Sequence, residues 1–253
     1  MSYLKIFWCL LIILLSGCQK REQQQVLKIA VAANMSFTIA EIAQSFEQEY
    51  NIKVEISTAS SGMLTSQIFN GAPFDVFISA NMDYPLELSK KGLASAPEVY
   101  AFGKIVMAVP FEMALSGSWQ EVLLNHEIKR IAIANPASAP YGIATLTALN
   151  KLEIYKSLES KVVLGESIAQ VNQYLKTGAV DIAFTSNAFK ANFRNDYTYF
   201  ELPIDLYQPI KQGVTIVNQN SAGHKVASKL FINYLRSEAS QMILLNHGFS
   251  INE

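Results

Sequence analysis

Two cysteines and three histidines in 253 residues leave little material for thiol or metal chemistry. Cys9 sits inside an apolar run and Cys18 just beyond it, so the body of the chain has no thiol, forms no disulfide and is indifferent to oxidising surroundings. His126, His224 and His247 fall on separate expected elements, without the short-range pairing typical of zinc ligands. Charge is scarce too. Only 16% of residues are charged, and 20 basic against 21 acidic side chains leave a net charge of -1 with no basic run, which removes the electrostatic ground for nucleic-acid binding. There is no Gly-x-Gly-x-x-Gly, no Walker loop, no Gly-x-Ser-x-Gly elbow and no fixed-period repeat. What is there is a globular chain, 50% hydrophobic, long enough for one large or two modest domains.

Lys5 precedes an apolar stretch, residues 6–15, that is too short to span a bilayer and has the form of an export signal. Leu15-Ser16-Gly17-Cys18 then resembles the lipobox of bacterial lipoproteins, in which the cysteine is acylated and becomes the first mature residue. The expectation is a lipoprotein signal peptide over residues 1–17, a lipid on Cys18, and a polar tether over 18–25.

The body alternates strand and helix. A buried strand from Ile29 runs into Ala33, Asn34 and Met35, and an amphipathic helix follows with Ile39, Ile42, Ala43, Phe46 and Tyr50 at helical spacing. Residues 52–57 alternate as a second strand, a helix carries Leu64, Ile68 and Phe69, and residues 75–80 form a third strand. Short connections between such elements predict right-handed crossovers and a parallel sheet with helices on both faces. The alternation restarts after a strand at 104–109, with strands near 128–134, 162–164 and 181–184 and helices near 119–124, 141–152 and 167–176. Strands at 197–202 and 211–217 and helices at 222–235 and 238–248 complete the chain. The architecture is therefore read as α/β and two-lobed, with two mixed or parallel sheets flanked by helices and a ligand cleft between the lobes. Lobe 1 is assigned residues 26–103 and 218–253, and lobe 2 residues 104–217, with crossings near 102–109 and 214–217.

Four junction loops stand out, each opening a helix and each carrying neutral donors: Ala33-Asn34-Met35, Ser60-Ser61-Gly62, Ala139-Pro140-Tyr141-Gly142 and Glu166-Ser167-Ile168. The first turn of a helix offers unpaired N–H groups and the positive end of its dipole. Two such loops from each lobe, converging on a cleft, would surround one small anion without a lysine or arginine.

Three segments carry a family likeness: Val31-Ala32-Ala33-Asn34, Ala59-Ser60-Ser61-Gly62, and above all the stretch from Gly71-Ala72-Pro73-Phe74 through Asp75-Val76-Phe77-Ile78-Ser79-Ala80. With these and the closing Asn246-His247-Gly248-Phe249, the chain resembles the substrate-binding proteins of molybdate ABC transporters over nearly all of residues 26–253. The resemblance implies a monomeric extracytoplasmic receptor that binds molybdate or tungstate, delivers it to an ABC permease, and has no cofactor and no catalytic role. It places the oxyanion on Asn34, Ser61, Tyr141 and Ile168, with Ala33 and Phe184 as further candidates. Phe184 stands where some members have a tyrosine hydroxyl and cannot donate, so Asn34 and Tyr141 are the expected replacements.

The residues alone leave rival readings open: a receptor for sulfate or another small anion, an exported enzyme using Asp75 or Glu166 as acid or base, or a surface lipoprotein whose cleft meets a protein.

Overall fold

The computed structural model describes residues 26–113, 115–218 and 222–252; the expected export signal, Cys18 and the tether lie outside them. The first lobe opens with strand β1 (Val26–Ala32), a 3-10 turn at Ala33–Met35 and helix α1 (Ser36–Tyr50). It continues through β2 (Lys53–Ala59), α2 (Ser61–Phe69), β3 (Val76–Ser79), α3 (Asp83–Lys90) and β4 (Glu98–Gly103). The chain then crosses into the second lobe, which contains β5 (Ile105–Pro110), α4 (Trp119–Leu124), β6 (Ile131–Ala134), α5 (Pro140–Lys151), α6 (Tyr155–Leu158), β7 (Val162–Gly165), α7 (Ile168–Lys176), β8 (Ile182–Ser186), α8 (Asn187–Asn192) and β9 (Tyr197–Glu201). It returns to the first lobe with β10 (Ile210–Ile216), α9 (Ala222–Leu235) and α10 (Glu238–Asn246).

Two five-stranded sheets result, in the orders β2-β1-β3-β10-β4 and β7-β6-β8-β5-β9. Where strands and helices alternate locally the pairing is parallel, as read from sequence: β1 with β2 and β3, β6 with β7 and β8. The strand that arrives from the other lobe runs the opposite way. β10 is antiparallel to β3 and β4, and β5 to β8 and β9, so both sheets are mixed. This corrects one boundary. β10 belongs to the first sheet, so the second crossing lies between Glu201 and Ile210, not at 214–217, and residues 210–217 leave lobe 2. β4 and α8 were not anticipated. β4 carries the exposed residues Glu98 and Val99 and lacks a buried strand's continuous apolar signature, and α8 is only six residues long.

Side-chain alternation along β1 builds both layers of the first lobe. Leu27, Ile29 and Val31 pack against Ile39, Phe46 and Phe231, while Ala30 faces Leu64, Ile68, Phe77 and Leu88. The second core gathers Met107, Ile131, Ile133, Val171, Leu175 and Phe184. An aspartate staples the amino end of the third strand of each unit. Asp75 Oδ2 accepts from the Lys28 N–H at 2.7 Å and Oδ1 pairs with His224 Nδ1 at 2.9 Å; Asp181 Oδ2 accepts from the Lys129 and Arg130 N–H groups at 2.6 and 2.7 Å. Both acids also donate their own N–H to the neighbouring strand, to Lys28 O and Arg130 O. Asp75 is thus engaged at the end of β3 opposite the cleft, while Glu166 is exposed. Among the described residues, no group of three or more His, Cys, Asp or Glu side chains is placed to hold a metal ion.

Candidate anion-binding site

The carboxyl ends of the strands in both lobes face one another, and the loops leaving them meet around a small cavity of about 10 Å³. Ala32, Ala33, Asn34, Ser60, Ser61 and Ala80 line it from the first lobe, and Ala139, Pro140, Tyr141 and Ile168 from the second. That is about the room one water molecule needs, far below the several hundred Å³ usual for organic ligands. No lining residue is charged.

Helix starts supply the donors. Ser60 caps α2, its Oγ accepting from Met63 N, and Ser167 caps α7, accepting from Gln170 N, each at 3.4 Å. Ser61 and Ile168 are therefore first-turn residues whose N–H groups have no intrahelical acceptor. α5 begins at Pro140, which has no N–H to lose, so Tyr141 presents the first free amide of that helix. Its approach depends on Gly142, where a Cβ would stand 2.0 Å from the Ala134 carbonyl oxygen. Three helix N-termini thus bring their positive ends to the wall of one cavity.

Two side chains add to this. Ser61 is buried, and its Oγ accepts from the Ala80 N–H at 3.0 Å. With one lone pair so engaged, its hydroxyl hydrogen is free to donate into the cavity. Asn34 is also buried and donates through Nδ2 to Gln212 Oε1 at 2.8 Å. Gln212 escaped the sequence reading; its only signal is a polar residue inside the largely apolar strand β10. The Tyr141 phenol is buried, and burial raises its pKa well above the ordinary tyrosine value, with the nearby Asn34 amide opposing this in part. The phenol is therefore neutral at physiological pH.

The lobes touch at the rim, where the Gly62 N–H donates to the Ser138 carbonyl at 2.9 Å. A Cβ on Gly62 would lie 3.0 Å from Ser138 Cα and O and 2.9 Å from the Tyr84 hydroxyl, so this contact requires glycine.

The structure brings together Ala33, Asn34, Ser61, Tyr141 and Ile168. It does not bring in Phe184. That ring lies in the core of the second lobe on β8, a strand buried along its whole length, and is absent from the cavity wall. Ser60, Ala139 and Pro140, members of the donor loops, also line the cavity, as do Ala32 and Ala80, which were not named as contacts because small backbone-presenting residues leave no chemical mark in a sequence.

Two sheets, two crossovers and a donor-lined cavity between them have the geometry of a two-lobed binding protein. The chain belongs to the bacterial extracellular solute-binding protein family, which matches residues 27–250. More particularly, it is 34% identical to the molybdate-binding protein ModA of Azotobacter vinelandii, over 90% of this chain and 91% of that one. Identity to the molybdate-binding protein ModA of Rhodobacter capsulatus is 31%, over 87% of this chain and 86% of the relative. The solved structure of the Azotobacter vinelandii periplasmic molybdate-binding protein superposes with a TM-score of 0.83 at 29% identity, covering 90% of this chain and all of that one.

Proposed function

We propose that the chain is an extracytoplasmic receptor that captures molybdate, and tungstate with it, between its lobes and presents it to an ABC permease. The observation that carries this reading is the cavity itself: small, uncharged, and faced by helix N-termini and the Ser61 hydroxyl. Such a wall suits a fully deprotonated oxyanion. No carboxylate is present to accept the proton of hydrogen phosphate. Sulfate shares molybdate's charge and shape but is smaller, so selectivity against it rests on the size of the closed cavity. Similarity to the molybdate-binding relatives favours the larger ion.

In this reading Asn34, Ser61 and the backbone amides of Ala33, Tyr141 and Ile168 hold the ion. The receptor works as a monomer, since a single chain lines the whole cavity, and it carries out no chemistry and needs no cofactor. Cys18 carries the lipid that holds it at the periplasmic or cell-surface side of a membrane. Loss of fatty-acid labelling in Cys18→Ser is the check on the anchor.

The test of the ligand is thermal unfolding of the chain from residue 19 onward, with molybdate, tungstate, sulfate or phosphate in excess. At about a hundred times its Kd, a ligand that binds only the folded state adds roughly 2.7 kcal/mol, or about 5–10 °C in Tm for a protein of this size. Shifts with molybdate and tungstate alone are expected. A shift with sulfate alone would replace the ligand, and no shift with any of the four would overturn the receptor reading.

A further inference from the structure

Gln212 is completely buried in the middle of β10. Its orientation is dictated by a group that has no choice. The Ile210 carbonyl can only accept, so Gln212 must turn Nε2 toward it, at 2.9 Å, and present Oε1 on its other side. Oε1 in turn can only accept, so Asn34 must offer Nδ2 to it, at 2.8 Å. Asn34 Oδ1 is thereby left buried and without a hydrogen-bond partner. An oxyanion cannot satisfy it, because both are acceptors.

The complement comes from the opposite lobe. The Tyr141 hydroxyl is buried and has no partner, and Tyr141 lines the same cavity as Asn34. It rests against Gly103, where a Cβ would stand 2.1 Å from the hydroxyl oxygen and 2.9 Å from Gln212 Nε2. Gly103 ends β4, directly before the crossing into the second lobe, so the hydroxyl sits at the hinge.

We infer that Gln212 and the Tyr141 hydroxyl are positioning residues for the oxyanion site. Gln212 fixes the Asn34 amide and leaves its second Nδ2 hydrogen for the ion. Asn34 Oδ1 and the Tyr141 hydroxyl are unpaired with the rim contact made; the Tyr141 O–H turns onto Asn34 Oδ1 once the ion is enclosed, a bond between lobes that completes closure. The inference rests on the oxyanion-receptor reading above and adds to it a separation of roles: the Tyr141 backbone recognises the ion, whereas its phenol acts on closure. A closure bond favours every bound oxyanion equally, so its loss lowers affinity and leaves selectivity unchanged.

The experiment is a double-mutant cycle of Tyr141→Phe and Gln212→Met, read by calorimetric titration with sodium molybdate, tungstate and sulfate. Tyr141→Phe is expected to weaken binding about tenfold, by the same factor for molybdate as for tungstate. In the Gln212→Met background, where the Asn34 amide is free to turn, the same substitution is expected to cost less than twofold. A merely structural role for Gln212 would lower Tm without this coupling. Tyr141→Phe binding within twofold of wild type, unequal losses for the two ions, or strictly additive effects would each overturn the inference. Tyr141→Phe is nearly isosteric, so its arm stands even if Gln212→Met fails to fold. Wild type binding only sulfate would overturn the ligand assignment and not the latch, which is then read on sulfate with the loss and the coupling as criteria. Binding to none of the three would overturn both.

Discussion

Replacing Ser61 with alanine removes one oxygen that has two tasks, and the two can be measured separately. Its lone pair accepts from the Ala80 N–H at 3.0 Å, and both groups are buried. Stranding that N–H costs about 1–3 kcal/mol of folding stability, or roughly 2–12 °C in the Tm of the ligand-free protein. The hydroxyl hydrogen, in the proposed site, donates to a charged oxygen, a bond worth about 1.5–3 kcal/mol, so Kd for molybdate should rise roughly ten- to hundredfold. Calorimetric titration gives the second quantity and a thermal scan without ligand the first. The decisive result is their combination. If Tm falls while Kd stays within twofold of wild type, Ser61 is a brace for the Ala80 loop and its hydroxyl does not face the ion, which would refute the donor argument for this side chain.

Gly62→Ala places a methyl group 3.0 Å from the Ser138 backbone across the cleft, so the lobes should fail to close fully. Weaker molybdate binding with a larger radius of gyration by small-angle scattering in the presence of ligand is expected; unchanged values for both would show that the rim contact is dispensable. Acid stability should depend on Glu47, which accepts from the Val54 N–H at 2.6 Å and pairs with Lys53 Nζ at 3.2 Å. The Val54 hydrogen bond first, with a smaller share from Lys53, holds its carboxyl pKa below the ordinary 4.5. A depressed folded-state pKa gives stability that is present above the unfolded value and lost as pH falls. Wild type should thus lose Tm more steeply than Glu47→Gln below about pH 4.5, by at most a few degrees because solvent screens the site. Parallel curves would exclude a contribution from this carboxylate.

Much of this protein follows from local pattern. The period of Ile39, Ile42 and Phe46, the runs around Ile29 and Ile78 and the capping serines are nearest-neighbour effects, and a chain cannot hide them. So the strand-helix order, the two units and the four donor loops were legible, and with them the meeting of Asn34, Ser61, Tyr141 and Ile168 around one cavity. Phe184 was misplaced because alignment by resemblance supplies a position along a strand but not the face on which the side chain falls. Burial on both faces of β8 turned it into core.

Tertiary structure alone decided the rest, for reasons of long-range geometry. Which lobe owns β10 depends on a strand returning from a distant part of the chain to pair with β3 and β4, and its own residues bear no mark of those partners. The same applies to Gln212, 178 residues from Asn34, whose role comes from two amides and a carbonyl meeting in one buried space. By itself the sequence determined which groups can donate, because that is a property of residue type and of helix starts. Where those donors point, and that one tyrosine presents its backbone to the cavity and its phenol to the hinge, was decided only when two lobes closed over each other and burial left each polar atom few partners to find.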